Sequence, residues 1–154
     1  MSTIKMHATT TATPEQYTAA LTDFGPGRSK IFGNSDDGYL KVHDEKPGCA
    51  DVTEGSGGVW ERLAYDWSTP DCVVARTIDS NTWGGRSGHT YNYRRNADGT
   101  TEIDYVVVRD GKNFKGHFLG LVLGTIGRSK LTKAFHDSVK AVEARNKPAT
   151  ASRP

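Results

Sequence analysis

The chain has 154 residues, enough for one domain that buries roughly two-thirds of its unfolded surface. Its 20 lysines and arginines stand against 18 aspartates and glutamates. Those charges are interspersed along the chain, which excludes a nucleic-acid-binding stripe and argues against a basic membrane patch.

The other compositional signals point the same way. Hydrophobic content is 35%, with six tyrosines, five phenylalanines, three tryptophans and 17 glycines, a mixture that suits many short elements joined by turns. Met1 to Thr13 lacks a charged-then-apolar pattern, so no secretory or transit leader is expected. Cys49 and Cys72 form no CxxC or cysteine–histidine cluster, and the expectation is two reduced thiols in a cytoplasmic protein. A single domain over residues 1–146 is expected. Lys147 to Pro154 is polar, ends in proline and has nothing to bury, so it reads as a flexible C-terminal tail.

Taken in order, the chain begins with a strand, since Ile4, Met6 and Ala8 alternate with Lys5, His7 and Thr9. Thr13-Pro14-Glu15-Gln16 then starts a helix, with a capping threonine, proline at the first helical position and Gln16 at the capping-box offset. Tyr17, Ala20, Leu21 and Phe24 form its inward stripe, and Gly25-Pro26-Gly27 ends it. Arg28 to Phe32 predicts a second short turn of helix. Six strands follow, near Tyr39–His43, Ala50–Glu54, Val59–Trp67, Cys72–Asp79, Gly88–Arg95 and Thr101–Asp110. Asn96-Ala97-Asp98-Gly99 marks the firmest hairpin between them.

From Asn113 to Asn146 there is no proline, and apolar residues recur every three or four positions. This predicts one long helix or two stacked ones. The run Phe118–Ile126 is interrupted by glycines and far shorter than the ~20 residues of a bilayer span, so integral membrane insertion is excluded. Gly116, Gly120, Gly124 and Gly127 share one helical face. Each costs a helix interior ~0.5–1 kcal/mol relative to alanine. Close backbone packing, a kink near Gly124–Gly127, or a face cleared for a ligand would each explain them. A sheet with one buried face and a late amphipathic helix bury those faces against each other. The fold class is therefore α+β, a curved antiparallel sheet of about seven strands around a long C-terminal helix, with two short helices after the first strand.

The pattern resembles the START and polyketide-cyclase-like superfamily (SRPBCC), whose helix-grip fold is shared with the birch pollen allergen. The residues that carry the likeness are Thr13-Pro14-Glu15-Gln16-Tyr17, Leu21-Thr22-Asp23, Glu61-Arg62-Leu63-x-Tyr65-Asp66-Trp67-Ser68-x-Pro70 and the late helix. It covers residues 3 to about 146. The resemblance implies the helix-grip fold, and with it either a cavity for a lipid or polyketide-like molecule or an aromatase/cyclase-type enzyme.

Side-chain alternation selects what faces that cavity. Thr90, Asn92 and Arg94 are the solvent set of their strand, which turns His89, Tyr91 and Tyr93 inward. Ile103, Tyr105 and Val107 likewise face in. Val59, Glu61, Leu63, Tyr65 and Trp67 are the more apolar set of theirs, so Glu61 faces the helix, where Arg76 or a tyrosine hydroxyl would pair with it. Trp83 lies on a glycine-rich loop and has either an internal slot or a ligand to cover. The expected ligand-contacting set is Glu61, Leu63, Trp83, His89, Tyr91, Tyr93, Tyr105, Phe118, Gly120, Val122 and Gly124. Glu61 and His89 are the candidates for proton transfer. His89 also suits a hydrogen-bonded core position, and the tyrosines suit plain packing.

No phosphate loop, dinucleotide fingerprint, HExxH or histidine metal spacing is present, so no cofactor or metal is expected. The primary expectation is binding of a small hydrophobic or amphipathic molecule. The alternatives are a cyclase-type enzyme and an interaction module with a vestigial cavity. A homodimer is compatible with either.

Overall fold

The computed structural model describes residues 1–125 and 127–147; Ile126 and most of the expected tail lie outside them. Strand β1 (Ser2–Thr10) is followed by helix α1 (Pro14–Leu21) and a single 3-10 turn (Arg28–Lys30). Strands β2 (Lys41–Lys46), β3 (Cys49–Ser56), β4 (Val59–Asp66), β5 (Cys72–Ser80), β6 (Gly88–Arg95) and β7 (Thr101–Arg109) come next. Helices α2 (Phe114–Gly124) and α3 (Arg128–Asn146) close the chain.

The seven strands form one antiparallel sheet in the order β1-β7-β6-β5-β4-β3-β2. Successive strands are joined by hairpins, and only β1 crosses over, to pair with β7. Register shifts at Val42/Asp44 and Arg62/Leu63 add local bend to the β2–β5 side. The alternation in β1 buries Ile4, Met6, Ala8 and Thr10 on one face. The capping box at α1 is complete, with Gln16 N donating to Thr13 Oγ1 at 3.1 Å and Thr13 N donating to Gln16 Oε1 at 2.9 Å. At the hairpin Asn96–Gly99, Gly99 takes φ +88°, a conformation that glycine adopts without strain.

The C-terminal run is two helices, α2 ending at Gly124 and α3 beginning at Arg128. Asn113 caps α2 through its side chain, 2.9 Å from Gly116 N. On α3, Phe135, Ser138, Val139 and Val142 are buried, and Leu131 packs against the same core at half-burial. Phe135 rests on the concave face against the Tyr105 ring, with centroids 5.1 Å apart.

The glycines of α2 serve close packing. A Cβ on Gly116 would lie 2.2 Å from the Thr82 carbonyl oxygen, and one on Gly124 would lie 2.9 Å from Ser2 Oγ. A Cβ on Gly120 would lie 3.7 Å from the Trp83 ring, an ordinary contact. The glycine face thus lets α2 settle onto the Thr82–Trp83 loop and the start of β1, and Ser2 Oγ donates to Gly120 O at 2.7 Å. The expectation that Gly120 and Gly124 line the cavity is corrected on this ground: Gly120 is buried against Trp83, Gly124 lies exposed beside Ser2, and neither is on the cavity wall.

Candidate functional site

Between the concave sheet and the two C-terminal helices lies a cavity of about 370 Å³. Cross-strand register builds one wall. Tyr91 of β6 and Tyr105 of β7 are directly paired, so their rings stack at 4.1 Å with an 8° interplanar angle. His89, two residues back on the same face, stacks against Tyr105 at 5.9 Å and 14°. Leu63 and Ala75 supply apolar surface from β4 and β5, while Leu119, Val122 and Leu123 come from α2.

One end of the cavity carries a polar network around Glu61. The Arg109 guanidinium grips this carboxylate with both terminal nitrogens, each 3.0 Å from a different oxygen. Thr77 Oγ1 donates to Oε2 at 2.8 Å. His89 Nε2 lies 3.2 Å from Glu61 Oε1 and 3.1 Å from an Arg109 nitrogen, and its Nδ1 lies 2.6 Å from the Tyr105 hydroxyl. Either tautomer of His89 therefore finds partners: Nε2–H donates to Glu61 while Tyr105 donates to Nδ1, or Nδ1–H donates to Tyr105 while Arg109 donates to Nε2. The Arg109 guanidinium also sits over the Trp83 ring, 5.1 Å from its centroid.

Burial alone would raise the Glu61 carboxyl. The Arg109 charge and the hydrogen bonds from His89 and Arg109 outweigh it and hold the group well below the usual carboxylate range. Burial pushes the Tyr105 hydroxyl up to about 12, against the lowering influence of Tyr91 and Arg109. Glu61 is an ionised anchor rather than a ready proton acceptor. Glu61→Gln should cost about 2 kcal/mol at pH 7, the worth of hydrogen bonds to a charged group. Because the folded-state value lies below the unfolded 4.5, the ionic contribution is complete above about pH 5.5 and is lost as pH falls through the folded value. The stability gap between wild type and Glu61→Gln should narrow from about pH 5 to pH 2 in urea titrations. Parallel pH profiles would contradict this assignment.

A second buried network lies beside the first. Glu54 and Glu61 are direct cross-strand partners of β3 and β4, so both carboxylates enter the concave side. Glu54 pairs with Arg28 at 2.5 Å, accepts from Ser35 Oγ at 2.8 Å and from the Tyr65 hydroxyl. Arg28 also donates to Asp23 O at 2.9 Å, just past the end of α1, and its guanidinium lies 4.9 Å from both the Phe24 and the Phe32 ring centroids. Each glutamate thus has its own arginine, and the lining is internally neutralised. Among the described residues no group of three His, Cys, Asp or Glu side chains could hold a metal ion. Cys49 and Cys72 are both free thiols.

The structure brings Glu61, Leu63, Trp83, His89, Tyr91, Tyr105 and Val122 to the cavity wall. Trp83 is 4% exposed, so it fills an internal slot and borders the cavity together. Tyr93 does face inward, but it packs behind the wall on Tyr17, with its hydroxyl 3.3 Å from Thr18 Oγ1. Phe118 is 58% exposed on the outer side of α2, which removes it from the site. The partner of Glu61 is Arg109; Arg76 points out from β5 into solvent. Sequence reasoning passed over Arg109 although it continues the inward series Tyr105, Val107 on β7. Arg28 and Glu54 were also missed. Glu54 carried the same signal, an inward position after Ala50 and Val52.

This architecture, an antiparallel sheet curled around a C-terminal helix with a cavity between them, is the helix-grip fold of START-like proteins and of the aromatase/cyclases. Three solved structures show the likeness. A Thermus thermophilus protein superposes with a TM-score of 0.71 at 11% identity, over 94% of this chain and 99% of its own. The Zhui aromatase/cyclase from Streptomyces sp. R1128 gives 0.68 at 12% identity, over 96% and 97%. A START superfamily protein from Mycobacterium smegmatis gives 0.66 at 10% identity, over 94% and 97%. No family model and no curated protein sequence matches the chain.

Proposed function

We propose that the chain binds a small hydrophobic or amphipathic molecule, lipid or polyketide-like, in the cavity between sheet and helices. The observation that carries this reading is the cavity itself, about 370 Å³ enclosed between the stacked Tyr91 and Tyr105 rings, Leu63 of the sheet and Leu119, Val122 and Leu123 of α2. The volume falls in the range of small-molecule sites, and the aromatic and aliphatic lining with a few oriented polar groups matches their usual composition. An open cavity of this kind speaks against the vestigial-cavity interaction module.

Two substitutions test the reading. Ala134→Phe fills the cavity from α3 and should abolish 1:1 binding of an environment-sensitive apolar dye while the protein stays folded. Tyr17→Phe should leave the protein as stable as wild type or more so, since no hydrogen bond is lost, and should leave dye binding unchanged. Unchanged dye binding in Ala134→Phe would place the ligand elsewhere.

The second reading is a cyclase-type enzyme, and the His89 bridge between Glu61 and Tyr105 is the observation that favours it. A general base works best with a pKa near the operating pH, and Glu61 is held far from it. Incubation with a poly-β-ketone surrogate should show no ring closure above the spontaneous rate. Acceleration by wild type that falls at least about a hundredfold in Glu61→Gln or His89→Gln would establish the enzyme instead.

A further inference from the structure

Charges that alternate along the chain are segregated in the folded molecule. Between Lys112 and Val142 stand Lys112, Lys115, Arg128, Lys130, Lys133 and Lys140 against a single acid, Asp137, which pairs with Lys133. The rest of the chain holds 14 basic and 17 acidic residues. The basic excess is therefore carried by α2, α3 and the turn leading into α2.

The same layer carries an apolar stripe. Phe114 is 89% exposed, Phe118 58% and Leu121 65%. At 100° per residue these three fall within an arc of about 60° on α2. The opposite side of that helix is committed to the protein, with Gly116 and Gly120 buried against the Trp83 loop. Thr125 continues the exposed face and shares a surface groove with Arg128, Lys133 and Lys140. Large apolar side chains beside a row of cations are what a helix lying in a membrane interface presents. With 11 residues α2 is too short to cross a bilayer, and no helix among the described residues is long and apolar enough to do so.

We propose that α2 docks the protein on an anionic lipid surface. Phe114, Phe118 and Leu121 enter the boundary between headgroups and acyl chains, while Lys115, Arg128 and Lys140 lie against lipid phosphates. Docking in this orientation places α2 between the lipid and the cavity, with Leu119, Val122 and Leu123 of the same helix lining the cavity. The surface itself stands on exposure and charge, independent of what the cavity holds.

The experiment is co-sedimentation of the full chain with phosphatidylcholine vesicles, with and without phosphatidylglycerol, at low and at near-molar salt. Binding is expected on the anionic vesicles at low salt only, because the electrostatic attraction is screened within a Debye length. Phe118→Ser/Leu121→Ser should weaken it about tenfold or more, and Lys115→Glu about fivefold or more. All three positions are exposed, so an unchanged thermal transition should confirm folding. No binding at low salt, or equal binding by the double variant, overturns the proposal. So does a homodimer that the double variant dissociates in the absence of vesicle binding, since the face would then belong to a second copy of the chain.

Discussion

Arg28→Ala is expected to lower the unfolding free energy by about 3–5 kcal/mol, the usual cost of stranding one member of a buried ion pair. The Arg28 side chain is 2% exposed and that of Glu54 9%. Removing the guanidinium leaves Glu54 with only Ser35 and Tyr65 as donors. It also empties the slot between Phe24 and Phe32 and frees the Asp23 carbonyl just past α1. The double change Arg28→Met/Glu54→Leu should recover most of the loss, because replacing a buried pair by apolar groups of similar volume is often neutral. Urea denaturation at neutral pH measures both. A loss below about 1 kcal/mol in the single variant would mean that water reaches Glu54.

Phe135→Ala should cost a similar amount, about 3–5 kcal/mol. Phe135 is 4% exposed and borders the cavity on one side while packing on Tyr105 on the other. The space it vacates joins a void that already exists, so neighbouring side chains have little to collapse onto and the cavity penalty persists. The enlarged cavity should also admit bulkier apolar dyes than wild type. A change under about 1 kcal/mol would contradict the placement of α3 in the grip of the sheet.

The fold was legible because its core follows simple periods. The inward series of β6 and β7 could be read directly, and β6 spans the expected Gly88–Arg95. The capping box at Thr13 located the start of α1 to the residue, while the helix ends at Leu21, before the expected stop at Gly25-Pro26-Gly27. Strand β2 was placed two residues early, near Tyr39–His43, because all six of its residues are exposed at the sheet edge and no buried alternation marks it. Alternation also found Glu61, His89, Tyr91 and Tyr105, which meet at one wall of the cavity. It could not show which cation meets Glu61, since Arg109 reaches it across the concave face from β7, with β5 and β6 between them and 48 residues on. Arg28 and Glu54 also meet only in the folded chain, from the 3-10 turn and β3, 26 residues apart. The helix glycines were ambiguous for a different reason. Their spacing defines a face but not what that face meets, and here it meets the Thr82 carbonyl, Trp83 and Ser2. The segregation of charge onto the helix layer is likewise invisible until the chain is folded.

Native mass spectrometry of the protein purified from its own host tests the cavity reading most directly. The account predicts a discrete non-covalent adduct of small mass at one per chain, released on denaturation and absent from Ala134→Phe. Bare protein mass in the wild type, together with no uptake of an apolar dye in solution, would contradict it.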